Sequence, residues 1–268
     1  MFICYVRLLG VIILPFYQGI GAQLLTEEET IRYQRQIMID GFREEGQEKL
    51  KQAKVVIAGI GGLGCPISLY LASAGVGTIR IIDSDRVELS NFNRQVLHWE
   101  ADIGKPKVVS VTHKLSQLNA NVKIEPVEET INRDNVGELI SNFDVVVDAT
   151  DNMPVRFLLN HAAIIAGVPL IHGAVCGLEG RAMTIIPRKS ACLGCLYKGS
   201  VAHEKIPILG PTAGIIASIE ALEVIKYLVG IGDLLEGRLL IYDGLSAKYT
   251  EFEVTKDPEC EYCGHLAE

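Results

Sequence analysis

The chain has 268 residues, 49% of them hydrophobic and 22% charged, which is enough apolar mass for a large core and too much for a disordered or collagen-like chain. With 25 Lys+Arg against 33 Asp+Glu the net charge is −8, so a polyanion is repelled at long range and no nucleic-acid partner is expected. The seven cysteines are odd in number and four of them form two C-x-x-C pairs, a pattern of metal binding more than of a secreted disulfide framework.

Residues 1–24 carry a single charge, Arg7, and an apolar run from Leu8 to Phe16 that is too short to cross a bilayer and is broken by Pro15. An arginine, an apolar stretch and the small residues Gly19, Gly21 and Ala22 permit a signal-peptide reading. A packing extension or an early start is expected instead, because the chemistry downstream uses cytosolic reagents. The protein is therefore expected in the cytoplasm, without a membrane partner, and residues 25–268 are expected to form one domain.

Thr26 and Glu29 form a capping box, S/T-x-x-E, opening a helix through Ile37; a charged helix follows from Glu44 to Ala53. Lys54–Gly59 is a β-branched run ending in glycine, a buried strand. Then come a helix from Cys65 to Ala74, a strand at Thr78–Asp83, a helix from Pro106 to about Asn119 and a strand at Val122–Val127. A short helix at Asn135–Ser141, a strand at Phe143–Asp148, a helix from Pro154 to Ala166 and a strand near Pro169–Gly173 continue the alternation. Strand, crossover helix, strand predicts an α/β fold with a doubly wound, mostly parallel sheet. After Gly180 the pattern changes to antiparallel-looking strands, a long helix at Thr212–Val229 and a cysteine-bearing tail.

Gly59, Gly61 and Gly64 make G-x-G-x-x-G between a strand and a helix, where a phosphate can approach backbone N–H groups. Asp83 ends the second strand 19 residues after Gly64, placed for a ribose hydroxyl. Taken alone this reads as a dinucleotide site. The following stretch, DSDRVELSNFNRQ and then GKPK, adds Arg94 and Lys107 as cationic clamps and Asn91 as a neutral donor, more charge than a dinucleotide needs. Lys105 is expected to face elsewhere. In DATDN, Asp151 at the carboxyl end of the fourth strand suits Mg²⁺ beside a polyphosphate, with helix N-capping as its alternative role; Asp148 is expected to be structural.

With RYQRQI (Arg32–Ile37), GIGGLGC, LASAGVG, IDSDRVELSNFNRQ, GKPK, DATDN and two C-x-x-C pairs, residues 26–268 resemble the MoeB–ThiF–HesA group, prokaryotic relatives of the ubiquitin-activating enzymes, and most of all its MoeB-like members. The resemblance implies a Rossmann-like sheet with N-terminal helices and a homodimer. It implies Mg-ATP binding by Gly59, Gly61, Gly62, Gly64, Asp83, Asp85, Ser90, Asn91, Arg94, Lys107, Asp151 and Asn152. Arg35 is implied to reach the ATP of the other subunit. The implied reaction is adenylation of the C-terminal glycine carboxylate of a small ubiquitin-fold sulfur carrier ending in Gly-Gly. The adenylate would pass to an external sulfur donor. An α-carboxylate has a pKa of about 3.5, so no general base is required.

Cys192, Cys195, Cys260 and Cys263 offer four thiolates, which close a tetrahedral, structural zinc site; a pair of redox motifs is the competing reading. The group also has zinc here. Many members carry a cysteine in the loop before the long C-terminal helix, but His203–Gly210 contains none, so no thioester or persulfide step is expected. Cys65 is expected to be a buried small thiol and Cys176 to lie beyond the fifth strand. Three rivals stand: an NAD-dependent oxidoreductase, an ATP-dependent enzyme acting on a tRNA base, and a non-enzymatic ATP-binding scaffold. The first leaves Arg94, Lys107 and Asp151 unexplained.

Overall fold

The computed structural model describes residues 25–197 and 207–265. The apolar run of residues 1–24 and residues 203–206 of the cysteine-free loop lie outside the described residues.

Thr26 starts α1 (Glu27–Ile37) through the expected capping box: the Glu29 amide donates to its hydroxyl at 3.2 Å, and its own amide donates to the Glu29 carboxylate at 2.7 Å. α2 (Arg43–Gln52) leads into the sheet. Strands β1 (Lys54–Ala58), β2 (Thr78–Ile82), β3 (Lys123–Val127), β4 (Val145–Asp148) and β5 (Leu170–Cys176) are parallel, in the order β3-β2-β1-β4-β5. The later helices are α3 (Gly64–Ala74), α4 (Lys107–Leu118), α5 (Val136–Ile140), α6 (Met153–Ala166), α7 (Leu193–Leu196) and α8 (Gly210–Val229).

The side chains of β1 show why its sequence is apolar at successive positions. Val55 and Ile57 enter one cluster with α3, α4 and α8, while Val56 and Ala58 enter a second with α5 and α6. A period-2 strand covered on both faces needs apolar residues at every position.

The antiparallel strands expected after Gly180 are β6 (Glu179–Ile185), β7 (Arg238–Asp243) and β8 (Lys248–Glu253). They extend the same sheet to eight strands, since β6 pairs directly with β5. That pairing lengthens β5, so Cys176 is its last residue and not a loop residue beyond it. No helix among the described residues is long and apolar enough to cross a membrane.

β1 lies between β2 and β4, and the crossovers run to opposite sides of it. The strand order therefore reverses between β1 and β4, which opens a ligand crevice outside their carboxyl ends.

Candidate active site

β1 delivers the chain into the glycine loop before α3 begins at Gly64. Gly59 has φ +90°, and a Cβ there would stand 2.8 Å from the Ala149 carbonyl oxygen, so the loop meets the DATDN turn at a position only glycine fits. A Cβ on Gly64 would collide with the Gly59 carbonyl. At Gly61 and Gly62, by contrast, a Cβ would meet nothing closer than 3.5 Å. Their amides donate to no backbone acceptor among the described residues. This part of the loop, at the start of α3, has the open donors a phosphate needs.

Asp83 follows β2 directly and is held against the loop. Its Oδ2 accepts from the Ile60 amide at 2.8 Å and its Oδ1 from the Asp85 amide at 2.8 Å. Each carboxylate oxygen keeps a further lone pair for a ribose hydroxyl. Lys107, the first residue of α4, is 6% exposed and its Nζ sits 2.8 Å from the exposed Asp85 carboxylate. Arg94 runs its aliphatic stem beside Gly62 and donates from Nη1 to the Ser90 carbonyl and to Asn93 Oδ1, both at 2.9 Å. Asn91 is buried and accepts from the Glu88 amide at 2.9 Å; the exposed Ser90 hydroxyl donates to Glu88. Lys105 faces outward and pairs with Asp102, as expected. The loop, Asp83, Arg94 and Lys107 thus gather at one crevice.

Asp148, at the end of β4, is wholly buried. Its carboxylate meets His172 Nδ1 at 2.8 Å, accepts from the Thr150 hydroxyl at 2.7 Å and lies 3.7 Å from the Arg156 guanidinium. Burial alone would raise its pKa, but Arg156 and His172 hold it below the usual carboxylate range. Arg156 also donates to the Thr150 carbonyl from Nε at 3.2 Å. The turn is thereby pinned from beneath, the structural role expected of Asp148. Asp151 projects from it, exposed and without an ion pair among the described residues. The alternative in which Asp151 caps α6 is corrected: the N-cap is Asn152, one residue nearer the helix, whose Oδ1 accepts from the Val155 amide at 3.3 Å. Asn152 keeps its NH₂ for other partners.

Arg35 is exposed in the last turn of α1. The acids that would make it an ordinary surface ion pair are otherwise engaged, Glu28 with Arg32 at 3.9 Å and Glu29 with Lys51 at 2.8 Å.

Sequence reasoning missed Arg156 and His172, which lie on α6 and β5 and face the end of β4 only after the sheet has formed. It also passed over Gln95 and His98. Gln95 is 4% exposed, stands beside Gly61, and its Oε1 has no hydrogen-bond partner among the described residues.

The four cysteines of the two C-x-x-C pairs come together on the opposite side of the sheet from α8. Their sulfurs lie within 4.8 Å of one another, with Cys192–Cys260 at 3.6 Å and Cys195–Cys263 at 3.5 Å. Four sulfurs at about 2.3 Å from a tetrahedral zinc would stand roughly 3.8 Å apart, whereas a disulfide needs about 2.05 Å. The cluster has the spacing of a closed Cys₄ centre for a metal such as zinc. Burial pushes the Cys192 thiol up to about 11. A divalent cation at the centre would reverse that cost by compensating the thiolates.

A model of the ThiF family matches residues 33–262. The chain belongs to the ThiF family. Among curated relatives of this ThiF protein, the molybdopterin-synthase adenylyltransferase of Escherichia coli (strain K12) is 39% identical over 246 residues, covering 90% of this chain and 98% of the relative. The sulfur carrier protein adenylyltransferase of Thermus thermophilus is 38% identical over 250 residues, covering 89% and 92%. Among solved structures, E. coli MccB with ATP superposes with a TM-score of 0.76 at 27% identity, covering 82% of this chain and 70% of that one.

Proposed function

We propose that this ThiF-family enzyme uses ATP to adenylate the C-terminal glycine carboxylate of a small ubiquitin-fold sulfur carrier, releasing pyrophosphate. The names of its adenylyltransferase relatives support the reaction type. The observation that carries the reading is the open Gly61–Gly62 stretch flanked by Arg94, Lys107 and the Asp151 carboxylate, which has no ion pair among the described residues, at the reversal between β1 and β4.

In this reading Gly59, Gly61, Gly62 and Gly64 shape the phosphate cradle and Asp83 takes the ribose. Asp85, Ser90, Asn91 and Asn152 supply polar contacts around the nucleotide. The carrier's carboxylate, already ionised, attacks the α-phosphorus; the bond to the bridging oxygen breaks and the electron pair leaves with pyrophosphate. Little covalent work falls to the protein, so the residues act by positioning and by neutralising charge. Arg94 and Lys107 do this within the subunit, and Arg35 does it across the interface of a homodimer. Asp151 would hold Mg²⁺, which supplies positive charge to the phosphate oxygens. Cys192, Cys195, Cys260 and Cys263 would hold Zn²⁺ as a structural staple. The acyl-adenylate goes to an external sulfur donor without an enzyme thioester, since His203–Gly210 has no cysteine. ATP as the co-substrate fits a cytoplasmic enzyme.

The test is exchange of labelled pyrophosphate into ATP in the presence of a carrier ending in Gly-Gly. Exchange is expected to require Mg²⁺ and the terminal glycine, and non-reducing electrophoresis should show no covalent carrier adduct. Binding of NAD with no binding of ATP overturns the proposal.

A further inference from the structure

A buried chain of polar groups behind the phosphate loop is not used by the reaction as described above. His98 is 3% exposed, and its Nε2 lies 3.1 Å from the Ile60 carbonyl oxygen. The fully buried Cys65 thiol donates to the same oxygen at 3.5 Å. On its other side, His98 Nδ1 lies 3.0 Å from the Ser110 hydroxyl of α4. Lys114 Nζ donates to that hydroxyl at 2.9 Å and is paired in turn with Asp102.

The proton count assigns the donors. A carbonyl oxygen only accepts, so His98 carries its proton on Nε2. Nδ1 of the neutral ring is then an acceptor facing the Ser110 hydroxyl, whose single proton is shared between the ring and Asp102 Oδ2, also at 3.0 Å. Burial keeps the ring neutral, holding His98 below the ordinary imidazole range. Cys65 is likewise pushed up to about 12 by burial and remains a thiol, a donor and not a nucleophile.

The consequence lies on the far side of the same peptide. In a planar trans peptide the C=O of one residue and the N–H of the next point in opposite directions. Ile60 is also clamped at its own amide by Asp83 at 2.8 Å, so neither peptide flanking it turns freely. Holding the Ile60 carbonyl inward, toward His98, directs the Gly61 N–H outward.

We propose that His98 is a positioning residue for phosphate binding: through the Ile60 carbonyl it aims the Gly61 amide into the crevice, with Ser110 and Lys114 orienting the ring and Cys65 as second donor. The inference rests on the ATP reading above and names a residue outside its site. Equilibrium binding of ATP and of adenosine tests it, because only ATP uses the loop amides. His98→Ala is expected to weaken ATP by about tenfold to a hundredfold, the range for a lost charge-assisted hydrogen bond, and to leave adenosine unchanged. His98→Gln, which offers an amide donor in place of Nε2–H, should recover most of the loss. Val136→Ala, in the apolar cluster on the other face of the sheet, should lower the melting temperature without moving either affinity. Should His98→Ala not fold, Ser110→Ala carries the same expectation at about threefold. Wild-type protein that binds no ATP overturns both this inference and the function beneath it. Wild-type binding retained in full by folded His98→Ala or Ser110→Ala, or an equal loss for ATP and adenosine, overturns this inference alone.

Discussion

Asp151 and Arg94 carry opposite charges to the same crevice, and neither is part of the core. Replacing either by alanine should leave the melting temperature nearly unchanged. The rate of pyrophosphate exchange should fall by about 10²–10³, the usual cost of deleting a preorganised charge-stabilising group. Loss of fold together with activity would show that the residue serves the structure instead. Glu220 is the opposite case, an acid enclosed in the core. It lies fully buried on α8 against Gly173, and neither carboxyl oxygen has a hydrogen-bond partner among the described residues. Burial pushes it well above the usual carboxylate range, and the Asp148 charge adds to the rise. A raised carboxyl pKa means that the folded state holds a proton the unfolded chain has lost. Stability therefore falls by about 1.4 kcal/mol per pH unit above the unfolded value of about 4.3, until the folded carboxyl itself ionises. Glu220→Gln removes this penalty. The variant should gain on the wild type in urea unfolding between pH 5 and 8 and lose the advantage near pH 4.

At the scale of elements, α7 and the C-terminal turn are too small to hold themselves in place. α7 has four residues, and the turn at Cys260–Gly264 follows a stretch without regular structure. A metal joining Cys192 and Cys195 to Cys260 and Cys263 closes that gap across 68 residues of chain. Chelation should accordingly lower the melting temperature by several degrees while exchange activity at low temperature survives, because the cluster sits away from the glycine loop. Metal analysis should return one zinc per chain. A protein without metal, with Cys192 and Cys195 oxidised, would contradict the assignment. α1 poses a different question, since its capping box defines where it starts but nothing in its own sequence says what Arg35 faces.

That question belongs to the whole molecule. If Arg35 serves the neighbouring subunit, Arg35→Ala and Asp151→Ala homodimers should both be nearly inactive. A heterodimer of the two should regain activity, because one of its two sites then carries both lesions and the other is intact. If Arg35 serves its own subunit, each site keeps one lesion and verified heterodimers should stay inactive. Exchange assays on isolated heterodimers decide between the two outcomes.

Much of this architecture was legible in the chain because the signals are local. β-branched runs such as Val55–Ile57 favour a buried strand, Thr26 and Glu29 close a cap three residues apart, and Gly59 to Gly64 stand between a strand and a helix. C-x-x-C spacing likewise predisposes each cysteine pair to share one metal ion. What tertiary structure alone decided concerns groups distant in sequence. Asp148, Arg156 and His172 meet because β4 and β5 are neighbours, and Cys192 meets Cys260 because the antiparallel strands continue the parallel sheet. Choosing Asn152 over Asp151 as the cap turned on where the first turn of α6 closes. His98 reads as an ordinary histidine until α4 and the glycine loop are packed together. Hydrogen bonds between remote segments depend on distance in space, and a sequence records only distance along the chain.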